Sequence, residues 1–291
     1  MLGENCLIWN VRGLNSRARR NVVRELVDLE NISLLSLQET KLQDCTESVV
    51  LETCGANFDF VFKPAANTCG GILLAWRRDT WAITSPVIRS FSLTVKLTLL
   101  QSNLTWWYTS VYGPQSDQEK MLFLDELKEV RAACPGMWLL CGDFNLIYQA
   151  QDKNNGRLNR RMMNAFRRLL DDVDLQELHL FGRRFTWSNE RARPTLERLD
   201  RVFACEDWVA DFPTTPFRLW RPSAPIMHHF YSERTALFLT SSASVLKIFG
   251  PNVMVSYRWW RRPGMLPCLG HMRRSTLSGA LILSCGTWQR L

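Results

Sequence analysis

Gly142-Asp143-Phe144-Asn145, directly behind the apolar run Trp138-Leu139-Leu140-Cys141, constrains this chain more than any other stretch. The run reads as a buried strand. A strand that ends in an aspartate and an asparagine two residues apart projects both side chains from one face of the pleat. One carboxylate then stands beside one amide at a sheet edge, a pair suited to gripping a water and a phosphate. Gly-Asp behind a strand is also ordinary turn chemistry, so the pair takes its meaning from how the other strands end.

Those strands can be read along the chain. Leu7-Ile8-Trp9-Asn10-Val11 is a short strand halted at Arg12-Gly13, and Ser16 to Leu29 follows as an amphipathic helix with Val22, Val23, Leu26 and Leu29 on one face. Leu34-Leu35-Ser36-Leu37 ends at Gln38-Glu39, and Gly70 to Trp76 makes a third strand. Leu93 to Leu97 alternates apolar and polar residues, and Trp106 to Tyr112 is halted by Gly113-Pro114. Helices are expected over Asp117 to Arg131 and Arg160 to Asp172, with a polar loop from Gln149 to Asn159 between them. Phe185-Thr186-Trp187-Ser188 and Leu199 to Phe203 read as two strands joined by a charged turn. Strands interleaved with helices, plus hairpin-like pairs, predict an α/β domain with mixed sheets.

Composition narrows the class. A chain of 291 residues, 46% hydrophobic, buries a large core. No apolar run is long enough to span a bilayer, and no signal-peptide pattern stands at the N-terminus. Nine cysteines lack C-x-x-C pairing, which argues against a zinc site or a disulfide framework and for a reducing, intracellular setting, nuclear or cytoplasmic. The net charge of +8 invites a nucleic-acid reading, but residues 222–291 carry +7 of it, with Glu233 the one acidic residue against eight basic ones. Beyond Pro222 the periodicity dissolves into a stretch punctuated by Pro225, Pro251, Pro263 and Pro267.

Polar residues collect at the strand ends: Asn10, Glu39, Tyr112, Asp143 with Asn145, and Asp200. Strand ends of one sheet converge on a common rim, where α/β proteins bind ligands. Phosphodiester hydrolysis needs a divalent cation on hard oxygen ligands, a positioned water, and donors for the developing charge. Glu39 supplies an anionic oxygen, and Asn10 and Asn145 supply neutral amides. Asp143 is suited to aligning or deprotonating a water, and Tyr112 to donating to a phosphate oxygen. Each also has a plainer reading. Asn10 can start a turn, Tyr112 can be a core aromatic, Asp200 can pair on the surface with Arg198 or Arg201, and Thr186-Trp187-Ser188 can be strand packing.

Six motifs in fixed order sharpen the reading: Trp9-Asn10-Val11-Arg12-Gly13-Leu14-Asn15, Gln38-Glu39-Thr40-Lys41, Val111-Tyr112-Gly113-Pro114, Gly142-Asp143-Phe144-Asn145, Phe185-Thr186-Trp187-Ser188 and Leu199-Asp200-Arg201-Val202. Together they resemble the endonuclease domain of plant LINE-type (non-LTR) retrotransposons, a branch of the exonuclease/endonuclease/phosphatase superfamily that also holds abasic-site endonucleases and DNase I. The resemblance covers residues 1–240. It implies a DNase I-like four-layer α/β sandwich, two mixed sheets flanked by helices, acting on double-stranded DNA as a monomer. It also implies a Mg²⁺-dependent nicking site, with Mn²⁺ as the alternative ion. Glu39 would be the principal metal ligand, assisted by Asn10. Tyr112 and Asn145 would contact the scissile phosphate, Asp143 would position the attacking water, and Asp200 would orient a histidine. The nick would expose a 3′-hydroxyl that primes reverse transcription.

One element departs from the family pattern. A Ser-Asp-His motif should precede the last core strand, and the matching place holds Ser232-Glu233-Arg234 ahead of Ala236 to Leu239. Arginine stays charged and only donates, so it cannot act as the histidine would. His228 and His229 lie upstream at the wrong spacing. Impaired activity is therefore expected. Residues 241–291 are read as a disordered, out-of-frame tail. If Arg261 and Arg262 both use AGG codons, the shifted frame through Trp259-Trp260-Arg261-Arg262-Pro263 gives Val-Glu-Glu-Ala, which resembles the acidic segment behind the nuclease in plant elements. The rival readings are an active phosphodiesterase or abasic-site nuclease of the same superfamily, and a non-catalytic nucleic-acid-binding protein that uses a basic tail.

Overall fold

The computed structural model describes residues 4–66, 69–181, 184–212, 217–219 and 236–240. In chain order these form β1 (Asn5–Asn10), α1 (Arg17–Leu29), β2 (Ile32–Gln38), α2 (Glu47–Thr53), β3 (Phe58–Ala66), β4 (Cys69–Arg77), β5 (Trp81–Ile88), β6 (Ser92–Leu99), β7 (Leu104–Tyr112) and α3 (Asp117–Ala133). Then follow β8 (Trp138–Asp143), α4 (Arg160–Asp172), β9 (Gln176–Glu177), β10 (Leu180–Phe181), β11 (Trp187–Ser188), β12 (Leu196–Glu197), β13 (Asp200–Ala204), α5 (Glu206–Asp211), β14 (Phe217–Leu219) and β15 (Ala236–Thr240). The last core strand anticipated at Ala236–Leu239 is β15, antiparallel to β1. Ser232-Glu233-Arg234, His228, His229 and residues 241–291 lie outside the described residues.

Two mixed sheets carry the fold. One has seven strands in the order β10-β14-β15-β1-β2-β4-β3, the other six in the order β5-β6-β7-β8-β13-β9. Alternation along β1 shows how they stack. Leu7 and Trp9 pack with Val23, Leu26 and Val27 of α1 and Val50 of α2, whereas Cys6 and Ile8 belong to the core shared with the second sheet. On the outer face of the second sheet, Phe123 of α3, Phe166 of α4 and Phe203 of β13 surround Phe144 at ring-centroid distances of 5.2–6.2 Å. The layers run helices, sheet, sheet, helices, the DNase I-like α/β arrangement. Among the described residues no helix is long and apolar enough to cross a membrane.

Local chemistry sets the helix starts. Ser16, Thr46, Ser116 and Asn159 each accept a backbone N–H from the first turn of the helix they precede. An N-cap of this type contributes about 1 kcal/mol.

The structure differs from the sequence expectations in three places. The edge strands β3 and β5, the short strands β9, β10, β12 and β14, and the short helices α2 and α5 are additional elements. Phe185–Ser188 shrinks to the two residues of β11. Its partner is also different: β11 pairs with β12, while β13 pairs with β8 in the large sheet, so the expected hairpin between them does not form.

Candidate active site

Three strands deliver the acidic and aromatic residues to one edge. β7 runs parallel to β8 with Tyr112 opposite Asp143, and β13 runs antiparallel to β8 with Asp200 opposite Asp143. Tyr112, Asp143 and Asp200 therefore stand side by side at consecutive positions across the sheet. From the other sheet, β1 runs parallel to β2 with Asn10 beside Gln38, the residue before Glu39. The sheets meet where the Asn10 Nδ2 donates to the Asp143 Oδ2 at 2.7 Å. The Tyr112 hydroxyl stands close enough to the Glu39 carboxylate to feel its charge. Asn10, Glu39, Tyr112, Asp143, Asn145 and Asp200 thus form one constellation.

Such close assembly constrains the backbone. Gly142 has φ +132°, and a β-carbon there would lie 2.2 Å from the Val111 carbonyl oxygen. At Gly113 a β-carbon would lie 2.1 Å from the Phe144 carbonyl oxygen. Only glycine lets β7 and β8 end this close together, which is the physical content of the Gly113-Pro114 and Gly142-Asp143 pairs. Arg12, Glu39, Lys41 and Asn145 all adopt left-handed φ between 50° and 57°. Each such residue costs about 1–3 kcal/mol, and strain of this kind collects at functional sites. Glu39 is fixed in place by the next two amides, Thr40 N–H to the Gly71 carbonyl at 3.2 Å and Lys41 N–H to the Gly70 carbonyl at 3.0 Å.

The Asp143 carboxylate is held at both oxygens. Asn10 donates to Oδ2, and the Asn145 backbone N–H donates to Oδ1 at 3.0 Å. Burial raises its pKa to about 6, with the Glu39 charge adding to the rise and the bonds from Asn10 and Asn145 and the charge of Arg12 opposing it. Burial also raises Asp200 well above the usual carboxylate range, and the neighbouring Asp143 adds to that. Thr186 steadies Asp200: its hydroxyl oxygen accepts the Leu199 and Asp200 backbone N–H groups at 2.9 and 3.1 Å. Tyr112 is held above the ordinary phenol range by burial first and then by the charges of Glu39 and Asp143, so it stays a donor. The Asn145 side chain donates to the Gly113 carbonyl at 2.6 Å, which ties the end of β8 to the end of β7.

The oxygen donors suit a hard divalent cation. Glu39 offers a carboxylate and Asn10 an amide oxygen that already accepts the Arg12 N–H at 3.1 Å. Among the described residues no three His, Cys, Asp or Glu side chains converge as a closed ligand set. One or two oxygen ligands with water completing the shell is the arrangement Mg²⁺ favours, so the residues fit such an ion.

Cations of the chain itself also stand at the site, and the pattern of strand ends does not single them out. Lys41 places its Nζ 3.1 Å from the Glu39 Oε1. Arg12 acts electrostatically on both Asp143 and Asp200. Half-buried Lys120 of α3 has its pKa lowered by burial, against the opposing pull of Asp117, Glu197 and Asp143. Arg12 and Lys41 lie inside two of the six motifs, so their sequence signal is adjacency to Asn10 and Glu39. Lys120 carries no such signal.

The sequence profile of the Endonuclease/Exonuclease/phosphatase family matches residues 7–216. The fold resembles the AP endonuclease LMAP from Leishmania major, with a TM-score of 0.62, 15% identity, and coverage of 83% of this chain and 88% of that one. It also resembles the endonuclease domain of TRAS1, a telomere-specific non-LTR retrotransposon (TM-score 0.58, 15% identity, 82% and 99% coverage). An AP endonuclease from Archaeoglobus fulgidus gives a TM-score of 0.60 at 14% identity, over 84% and 100% of the two chains. No curated protein matches the chain. With the profile spanning most of its length and the motif residues gathered at one rim of the sandwich, the chain belongs to the Endonuclease/Exonuclease/phosphatase family.

Proposed function

We propose that this protein is a divalent-metal-dependent phosphodiester hydrolase of the retrotransposon endonuclease branch, which nicks duplex DNA to leave a 3′-hydroxyl for primed reverse transcription. The observation that carries the reading is the doubly held Asp143 carboxylate, flanked by Glu39 and Tyr112 on one side and Asp200 on the other. Glu39 and Asn10 would hold a Mg²⁺ or Mn²⁺ ion, which when bound supplies Lewis-acid stabilisation of phosphate charge. Asp143, with its pKa near 6, is poised to take a proton from a water attacking the phosphorus. Asn10 and Asn145 fix the plane of that carboxylate so that one lone pair faces the attack. Tyr112, kept protonated, donates to a non-bridging phosphate oxygen.

The TRAS1 domain and the AP endonucleases share the fold, and the ordered motifs favour the retrotransposon branch. Arg234 stands where that branch has histidine, so turnover is low: a guanidinium neutralises phosphate charge but does not exchange a proton near neutral pH. The domain is taken to end near residue 240, with 241–291 an out-of-frame extension. Supercoiled-plasmid nicking with Mg²⁺ tests the reading in three proteins. The wild type should nick slowly, Arg234→His at least about tenfold faster, and Glu39→Ala not detectably. Nicking by Glu39→Ala at the wild-type rate rejects the assignment.

A further inference from the structure

The outward face of α4 takes no part in the site. The helix buries Met162, Met163, Ala165, Phe166, Leu169 and Leu170, and the 3.6-residue period turns positions 160, 161, 164, 167 and 168 away from the core. Four of those five are arginine. Arg160, Arg161, Asn164 and Arg168 are exposed, and Arg161, Asn164, Arg167 and Arg168 line one shallow open groove. No acidic residue occurs on the helix before Asp171, and Asp172 is taken by Lys128 of α3 at 2.8 Å. Arg167 donates its Nε–H to the Tyr148 carbonyl at 2.7 Å and covers the Tyr148 ring, which fixes one wall of the groove. Like charges this close repel, and two arginines in the first turn oppose the helix dipole. Among the described residues, Arg167 is the one arginine of this face that bonds to the rest of the fold. An external polyanion would relieve the repulsion.

The location says which polyanion. The Asn159 side chain, at the start of α4, donates to Asp117 at the start of α3 with 2.7 Å between them, and α3 follows Tyr112 and Gly113-Pro114 directly. The far ends of the two helices are joined by the Lys128–Asp172 pair, so α4 runs from the catalytic rim down the side of the sandwich. Arg161 and Arg168 are two turns apart, about 10 Å along the helix, which matches about three steps of a duplex backbone. The groove has guanidinium forks and an amide but no apolar anchor, which suits phosphates better than a protein partner. We propose that this arginine face is a second phosphodiester-binding surface, which holds the DNA backbone where the duplex bends past the rim and continues along α4. The proposal rests on the nuclease reading for the identity of its ligand.

Binding of a 40-base-pair duplex by the full chain in EDTA, followed by fluorescence anisotropy across a salt series, reads this surface without cleavage. The test variant is Arg161→Gln with Arg168→Gln. The control is Arg77→Gln with Arg78→Gln, the same charge loss at the opposite end of the sandwich. The test variant should weaken binding about tenfold or more at moderate salt and flatten the log–log salt dependence by about 1.8, or about 0.9 for each phosphate left without its arginine. The control should leave the slope unchanged. An unchanged slope in the test variant, or an equal change in both, overturns the proposal. If the wild type fails to nick in Mg²⁺ while the contrast between variants persists, the nuclease reading falls and the phosphate-binding face stands.

Discussion

Asn10 and Asp143 lie 133 positions apart in the chain and join the two sheets of the sandwich through one hydrogen bond of 2.7 Å at the rim of the candidate site. The bond both orients the Asp143 carboxylate and favours its ionised form, against burial and the charge of Glu39. Asn10→Ala should therefore cost far more activity than stability. A hydrogen bond to a charged group contributes about 1.5–3 kcal/mol, so the fold should survive. Plasmid nicking should fall by about 10²–10³-fold, as expected when a general base loses its orientation. Paired rate measurements and urea melts check this, and a loss of rate that merely tracks loss of folded protein would reduce Asn10 to a structural role.

The cross-strand pair Asp143–Asp200 predicts how the metal-free protein responds to pH. Both carboxyls are buried and both have raised pKa values, Asp143 to about 6 and Asp200 well above the ordinary carboxylate range, burial being the first cause in each. Raised carboxyl values mean the folded state binds protons more tightly than the unfolded chain, whose aspartates titrate at about 3.9. Their stabilising effect is complete below that value and disappears as pH rises through 6 and beyond. Asp200→Asn removes one buried charge and the repulsion it exerts, while Thr186 can still bond the new side chain. The variant should gain about 1–3 kcal/mol over the wild type at pH 8 in EDTA and lose most of that advantage by pH 4. Denaturant midpoints at the two pH values give the difference directly; a constant difference would mean the pair does not titrate as a unit.

Much of this site is written in the sequence because its chemistry comes from the ends of regular strands. β1, β2, β7, β8 and β13 are central and their apolar runs are legible, and the polar residue at one end of each run, the first residue in β13, marks the rim. β3 and β5 are not legible for the opposite reason. Each is the outer strand of its sheet, so its side chains are half exposed, and each carries a proline, Pro64 and Pro86. Edge strands tolerate proline and need no strict alternation, so the period-2 signal fades. Thr186 shows another limit. It sits in one of the six motifs and looks like strand packing, yet its hydroxyl bonds the backbone at Leu199 and Asp200, an arrangement that depends on a turn no local pattern specifies. Lys120 reaches the rim only because α3 packs there.

Gly142 offers a test of how tightly β7 and β8 converge. Gly142→Ala introduces a β-carbon 2.2 Å from the Val111 carbonyl oxygen at a φ of +132°, so backbone must move as well as side chain. The cost should reach at least about 3 kcal/mol. Gly156, in the loop after β8, has nothing within 4 Å of the same position, and Gly156→Ala should stay within about 0.5 kcal/mol of the wild type. Urea midpoints of the two variants make the comparison, and equal midpoints would contradict the packing at the rim.

Behind the site, Arg201 holds the loop that follows Asn145. It is fully buried, one residue beyond Asp200, and its guanidinium bonds the carboxylates of Asp152 and Glu177 and the carbonyl of Arg198. Asp152 in turn accepts the backbone N–H groups of Tyr148 and Gln149 at 2.9 and 2.8 Å. One arginine therefore links β13, β9 and the loop leaving β8. Arg201→Met keeps the stem of the side chain but leaves the buried Asp152 carboxylate without its guanidinium, while Glu177 keeps its pair with Arg198 at 2.7 Å. Breaking a buried pair in this way costs about 3–5 kcal/mol, more than any exposed ion pair in the molecule would. Adding Asp152→Asn should restore part of that loss, because the amide can still accept the two backbone N–H groups without carrying a charge. A thermal-melt cycle over the wild type, the two single variants and the double variant measures the coupling. Additive losses, with no recovery in the double variant, would show that Arg201 contributes packing alone.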